Sequence, residues 1–198
     1  MRDNQAVGKE LMTDKVITIL ALPLAVFLGG AWLMSEISKW DYVVDRLNES
    51  NLPDWEKAPL NKRLGYDAKA VANYWDQFDD TALISQQYSL EIDLVFPLLY
   101  SAAFATSLLL TWTMLGRPFN PLWIMAPTAV TVLADWTENL AQLHQLKQYR
   151  VHGAGALQAN LIQIASFATC IKLIFFCALA VFLAGLVALV LFRSFRQG

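Results

Sequence analysis

The stretch ADWTENL, residues 134–140, places two carboxylates and an amide within five residues, directly after a run of mostly apolar residues. Asp135, Glu138 and Asn139 are spaced i, i+3 and i+4, so a helix would project all three side chains from one face. A carboxylate that lines a cavity can act as a general base or bind a cation. Asp135 and Glu138 are therefore the candidate catalytic residues.

A second polar group precedes this stretch in the chain. Asp93, Pro97 and Tyr100 are spaced i, i+4 and i+7, again on one helical face. Because Pro97 has no N–H, the Asp93 carbonyl loses its helical partner and can accept a hydrogen bond from another element. Lys172 is the one base near these acids in the last apolar segment.

The composition predicts which elements hold these residues. Hydrophobic residues make up 56% of the 198 residues and charged residues 16%, whereas soluble domains have about 45–50% and about 25%. Four long segments are nearly uncharged, and a helix of ~20 apolar residues crosses a ~30 Å hydrocarbon core. We predict one all-α membrane domain, 1–198, a four-transmembrane-helix bundle with spans at about 16–35, 92–116, 121–143 and 160–192. Three acids balance three bases before the first span, which favours a retained span over a signal peptide.

The helical rise of ~1.5 Å per residue converts these spacings into depth. The apolar residues 121–134 cover only ~20 Å, so the following polar cluster must lie in the outer third of the membrane. Measured from the cytoplasmic end of each span, Asp135 is ~21 Å deep, Tyr100 ~24 Å and Lys172 ~32 Å. One outer polar layer is therefore predicted, built from Asp93, Tyr100, Asp135, Glu138, Asn139 and Lys172.

Two interpretations of this layer stay open. In the first, it is a network that fixes helix packing: Lys172 pairs with Asp135 or Glu138, Asn139 bridges backbones, and the Tyr100 hydroxyl donates. In the second, it lines a cavity open to the outer face that binds a ligand or carries out acid–base chemistry. Three acids face one base, which indicates bound water, a bound proton or a bound cation.

The polar excursion between the first two spans, residues 36–90, is predicted to be mostly helical and extracytoplasmic. Two amphipathic helices are indicated by apolar residues at i, i+3, i+4 and i+7, with Asp67 as the N-cap of the second. The apolar faces are Trp40, Val43, Val44 and Leu47 in the first helix, and Val71, Tyr74, Trp75 and Phe78 in the second.

Other kinds of site lack support in the sequence. His144 and His152 have no metal-ligand spacing, and there is no phosphate loop, nucleophile elbow or basic patch. We therefore predict no metal, no cofactor and no nucleic-acid partner. Membrane lipids are the expected partners, together with a larger membrane complex or a homo-oligomer.

The second and third spans carry the motifs D-x-x-F-P-x-x-Y (residues 93–100) and D-x-x-E-N (residues 135–139). Together they resemble a family of small four-span membrane proteins of uncharacterised function, over about residues 65–146. The resemblance implies a four-helix membrane fold but no activity. The residues that match its motifs are Asp93, Pro97, Tyr100, Asp135, Glu138 and Asn139.

Three functional hypotheses follow from these residues. The chain is a binding protein or an accessory subunit of a membrane complex, with a polar pocket in the outer leaflet. Alternatively, it is an intramembrane enzyme that acts on a lipid or isoprenoid-like substrate, with Asp135 and Glu138 as an acid–base pair. A transporter with only four spans would require a homo-oligomer. The first hypothesis is preferred, because no nucleophile accompanies the carboxylates.

The distribution of bases predicts the orientation in an inner or plasma membrane. Near the spans, six bases lie on the side of the termini and four on the other side, which favours cytoplasmic termini. The two sets are Arg2, Lys9, Lys15, Arg117, Arg193 and Arg196, against Lys39, Arg46, Lys147 and Arg150. A fluorescent protein that folds only in the cytoplasm, fused to the C-terminus, should therefore fluoresce. Glycosylation of an acceptor site placed there would reverse the orientation.

Overall fold

A computed structural model describes residues 2–117 and 120–197, and over these residues the chain is helical with no β-strand. The all-α prediction is therefore confirmed for this part of the chain. The helices are α1 (Arg2–Ser38), α2 (Trp40–Glu49), α3 (Asp54–Lys57), α4 (Ala68–Trp75), α5 (Asp80–Ile92), α6 (Phe96–Met114), α7 (Pro121–His152) and α8 (Ala159–Gln197).

Three helical stretches of the described chain are long and apolar enough to cross a membrane. They are Val16–Ser38, Asp80–Met114 and Ala159–Arg193. The first and third contain the first and fourth predicted spans, and the second overlaps the predicted span 92–116 up to Met114. By length and composition, these stretches are compatible with an integral membrane protein. α7, which contains the predicted third span, is not among them, because the polar residues from Asp135 onward lower its mean hydropathy.

Two hydrophobic cores hold the helices together. α7 packs along α8 and against α6 and α5, whereas α1 packs against α6 and α5. The first core joins the long helices, and the second joins the excursion to α5, α7 and α8. Representative members are Ile19, Phe96, Leu108, Ile124 and Leu179 in the first core, and Val43, Trp75, Leu90, Leu146 and Ile162 in the second.

The excursion contains both predicted amphipathic helices. In α2, Val43 and Leu47 are buried, but Val44 is 38% exposed, so the buried face is narrower than predicted. The second helix, α4, ends at Trp75, so Phe78 of the predicted face lies beyond it, although all four apolar residues of that face are buried. The Asp67 carboxylate accepts from the N–H of Ala70 at 2.8 Å, as an N-cap does. The excursion also includes most of α5, which the sequence prediction did not separate from its surroundings.

A buried arginine shapes the loop between α3 and α4. The Arg63 side chain is 7% exposed, and its Nε donates to the Ala58 carbonyl at 2.8 Å. Its Nη2 donates to the Glu56 carbonyl, and the guanidinium lies 4.9 Å from the centre of the Tyr74 ring. Backbone carbonyls and an aromatic face thus hold this buried cation. The contacts fix residues 59–62, which pack near α8.

Gly30 marks a close approach between α1 and α6. A Cβ atom at Gly30 would lie 2.0 Å from Cε2 of Phe96, whereas one at Gly29 would meet nothing within 4 Å. The Phe96 ring is 8% exposed, and its centre lies 5.8 Å from that of Phe27 and 5.4 Å from that of Tyr100. The ring therefore has little room to move aside.

Gly30→Ala should destabilise the protein, because overpacking a tight contact costs about 1–3 kcal/mol. Gly29→Ala is the matched control on the adjacent position of the same helix, and it should leave stability unchanged or slightly higher. Thermal unfolding of the purified variants in one neutral detergent measures both effects. Equal melting temperatures for the two variants would contradict the close approach.

Candidate functional site: a buried polar layer and its cavity

The site begins at a break between α5 and α6, where Asp93, Leu94 and Val95 form a turn. Pro97 cannot donate to the Asp93 carbonyl because it has no N–H. The N–H of Leu98 bonds to the Val95 carbonyl at 3.1 Å, so the Leu94 carbonyl also lacks its usual α-helical partner. Two backbone acceptors are therefore left for another element to satisfy.

α7 satisfies both acceptors with side chains of the ADWTENL stretch. Asn139 Nδ2 donates to the Asp93 carbonyl at 2.9 Å, and Trp136 Nε1 donates to the Leu94 carbonyl at 2.8 Å. The sequence predicts that the Asp93 carbonyl accepts from another element, and the donor is Asn139. Because a buried carbonyl without a donor is costly, these two bonds fix the position of α7 against the break.

The Asp135 carboxylate is the centre of the polar layer. Its Oδ2 accepts from the Tyr100 hydroxyl at 2.8 Å, and its Oδ1 accepts from Asn139 Nδ2 at 3.0 Å. Lys172 Nζ lies 3.2 Å from Oδ1 of Asp135 and also forms an ion pair with Glu138 Oε2. One ammonium thus joins two carboxylates of α7 to α8.

The layer is buried throughout. Glu138 and Asn139 are fully buried, and the other predicted members are between 3% and 8% exposed. The structure brings all six predicted residues together: Asp93, Tyr100, Asp135, Glu138, Asn139 and Lys172. On α7 and α8, the layer falls between residues of the first core and residues of the second, whereas Tyr100 of α6 also belongs to the first core.

Four further residues extend the layer toward the excursion. Gln142 Nε2 lies 3.0 Å from Glu138 Oε1 and 2.9 Å from the Tyr66 hydroxyl oxygen. The Tyr66 hydroxyl lies 3.4 Å from that of Thr169, and the Tyr66 N–H donates to Ser166 Oγ at 2.8 Å. Burial, with the nearby Glu138 carboxylate, raises the pKa of the Tyr66 phenol to about 12, so Tyr66 stays neutral at ordinary pH.

The sequence reasoning missed these four residues. Gln142 continues the polar face of α7, at i+7 from Asp135 and i+4 from Glu138, so its spacing was a usable signal. Tyr66 and the two α8 hydroxyls gave no such signal, because their contacts join segments about 100 residues apart in the chain.

A cavity of about 440 Å³ adjoins the layer. Its polar wall contains Asp93, Asp135, Gln142, Lys172 and Gln86, and residues 59–62 and Trp40 cover one end. The other end is aromatic: Phe27 lies 5.3 Å from Phe176 between ring centres, and Phe96 and Tyr100 complete this part of the wall. The volume falls within the ~300–1,000 Å³ of small-molecule pockets.

The cavity does not present the predicted acid–base pair together. Among the described residues, its wall includes the Asp135 carboxylate but not Glu138, which is fully buried against Lys172 and Gln142. The second carboxylate on the wall belongs to Asp93. Within the same described part of the chain, no group of three or more histidines, cysteines or acids is arranged to hold a metal ion.

Over residues 2–117 and 120–197, the fold and the site define an all-helical chain with three helical stretches able to cross a membrane and a buried polar layer beside a cavity. No protein-family model matches the chain, and no curated protein or solved structure matches it at a significant level. The resemblance to the four-span family stays a prediction.

Lys172→Met should destabilise the protein strongly, because it leaves buried carboxylates without their cation, and breaking a buried ion pair costs about 3–5 kcal/mol. Adding Glu138→Gln to Lys172→Met should restore part of the loss. Lys147→Met is the matched control: Lys147 pairs with Glu91 at 3.6 Å on an exposed surface, where such a pair contributes about 0–1 kcal/mol. Thermal unfolding of the three variants measures the effects, and similar shifts for Lys172→Met and Lys147→Met would contradict the bridging role.

Proposed function

We propose that this protein crosses the membrane four times and binds a small amphiphilic molecule in its outer half. The cavity of about 440 Å³, with an aromatic end and a polar wall, is the observation that carries the proposal.

The fourth span is supported by the directions of the α7 side chains. Asp135 and Glu138 point inward, whereas Leu122, Leu133 and Leu140 are 72%, 60% and 54% exposed. The nineteen residue steps from Pro121 to Leu140 cover ~29 Å, which matches a ~30 Å hydrocarbon core. The low mean hydropathy of α7 thus comes from its buried face, and its outward face is apolar enough for lipid.

The outward face of α7 becomes polar one turn after Leu140, at His144 and Lys147, which are exposed. This change of polarity supports a membrane boundary near residues 140–144. Asp93, Asp135 and Lys172 then lie in the outer half of the bilayer, beneath the excursion. The distribution of bases supports cytoplasmic termini and an extracytoplasmic excursion.

An amphiphile suits the cavity better than a fully polar or fully apolar molecule. Aromatic rings accommodate an alkyl chain by apolar burial, whereas the carboxylate wall needs a polar partner. The volume equals that of roughly fifteen water molecules at ~30 Å³ each, so the buried part of the ligand has about that many non-hydrogen atoms. The cavity lies between α1 and α8 and extends from their aromatic contact toward the excursion.

An intramembrane enzyme is the second hypothesis. An acid–base pair of Asp135 and Glu138 would need both carboxylates at the substrate, and Glu138 is not on the described wall of the cavity. An accessory role in a larger complex, or a homo-oligomer, stays a prediction. Purification in mild detergent followed by mass measurement tests both, and a lone monomer would count against them.

Ala31→Phe should abolish amphiphile binding, because Ala31 lines the cavity and the added ring would fill it. Ala25→Phe makes the same substitution on an exposed position of α1 outside the wall and should retain binding. Native mass spectrometry from nanodiscs measures one-to-one adducts with dodecylammonium, dodecanol and dodecanoate. The absence of an adduct with all three, or equal adducts on both variants, would overturn the proposed function.

A further inference from the structure

We infer that the amphiphile held in the cavity carries a positively charged, hydrogen-bond-donating head group of the alkylammonium class. The inference rests on the proposed function and specifies the chemistry of its ligand. The charge of the polar layer, an unpartnered buried acceptor and the order of residues along the cavity carry it.

The polar layer has an excess of acids. Asp93, Asp135 and Glu138 face the single ammonium of Lys172, which already contacts both Asp135 and Glu138. The other base on the described wall is Lys62, whose side chain is exposed and can be solvated by water. A cation beside Asp93 would offset the excess, because uncompensated buried charge is costly.

A second, independent feature points to a donor in the cavity. Gln86 is 7% exposed and lines the cavity, and its Oε1 has no hydrogen-bond partner within the described structure. Asn61 Oδ1, on the same wall, is likewise buried and without a partner there. Buried acceptors of this kind need donors. An ammonium supplies several donors and a positive charge at once.

Two acceptors lie in sequence along one wall of the cavity. Gln86 of α5 and Asp93 of the turn that follows are spaced i and i+7, about two helical turns apart, and both line the cavity. The aromatic residues Phe27 and Phe176 lie beyond them, farther from the excursion. A single-chain amphiphile would place its head against Asp93 and Gln86 and its chain against the rings, with the head toward the outer surface.

An organic cation fits this wall better than a metal ion. The described residues include no group of three or more side chains arranged as metal ligands, whereas the aromatic end requires an apolar portion. Aromatic faces also attract ammonium groups, which adds to the preference for an organic cation.

The test compares three amphiphiles with the same dodecyl chain and different charges: dodecylammonium, dodecanol and dodecanoate. Wild-type protein in nanodiscs of neutral lipid is titrated with each, and affinity is expressed per mole fraction of amphiphile in the bilayer. Dodecylammonium should bind at least tenfold more tightly than dodecanol, and dodecanoate should bind most weakly. Equal binding of all three, or tightest binding of dodecanoate, would overturn the inference while amphiphile binding stands. Failure of all three to bind would instead overturn the proposed function.

The variants assign the preference to the wall. Asp93→Asn should reduce the preference for dodecylammonium over dodecanol at least fivefold, whereas Asp45→Asn, on an exposed position of α2, should leave the preference unchanged. Gln86→Met removes the unpartnered acceptor at similar volume and should weaken dodecylammonium selectively, which keeps the test decisive if Asp93→Asn fails to fold. An unchanged preference in a folded Asp93→Asn or Gln86→Met variant would overturn the inference.

Discussion

Two backbone carbonyls between α5 and α6 lack helical donors, and the structure around the polar layer follows from how they are satisfied. Pro97 removes one donor, and the turn at residues 93–95 redirects another. Asn139 and Trp136 of α7 donate to these carbonyls, which sets both the depth and the rotation of α7. With α7 held in this rotation, Asp135 and Glu138 face inward, where Lys172 of α8 contacts both. The backbone break therefore determines where the charges lie.

The two carboxylates of α7 then have different surroundings. Residues spaced i and i+3 lie about 60° apart around a helix axis, because each residue turns the helix by about 100°. This angle places Asp135 on the cavity wall, beside Tyr100. Glu138 instead contacts Gln142 and Lys172 behind the described wall. Glu138 thus stabilises the polar layer through contacts inside the protein, whereas Asp135 and Asp93 line the cavity and can contact a ligand.

Local spacing explains what the sequence could predict. The shared faces of Asp93 with Tyr100 and of Asp135 with Asn139 follow from helical periodicity, and their common depth with Lys172 follows from helical rise. The cavity and its cover could not be predicted in this way. Residues 59–62 line the cavity because Arg63 is held by the carbonyls of Glu56 and Ala58. Gln86 lines the cavity because the break at residues 93–95 separates α5 from α6. Such contacts depend on tertiary packing, to which neighbouring residues in the chain give no guide.

The placement of the only central ammonium on α8 has a consequence for biosynthesis. α7 emerges from the ribosome before Lys172 does, so its two inward carboxylates have no cation when the helix first emerges. α7 is also too polar to be retained in lipid by its average hydropathy. If α7 crosses the membrane as proposed, it should remain in the aqueous part of the insertion machinery until α8 follows, and the two helices should enter the bilayer as an antiparallel pair. α8 would then assist the insertion of α7.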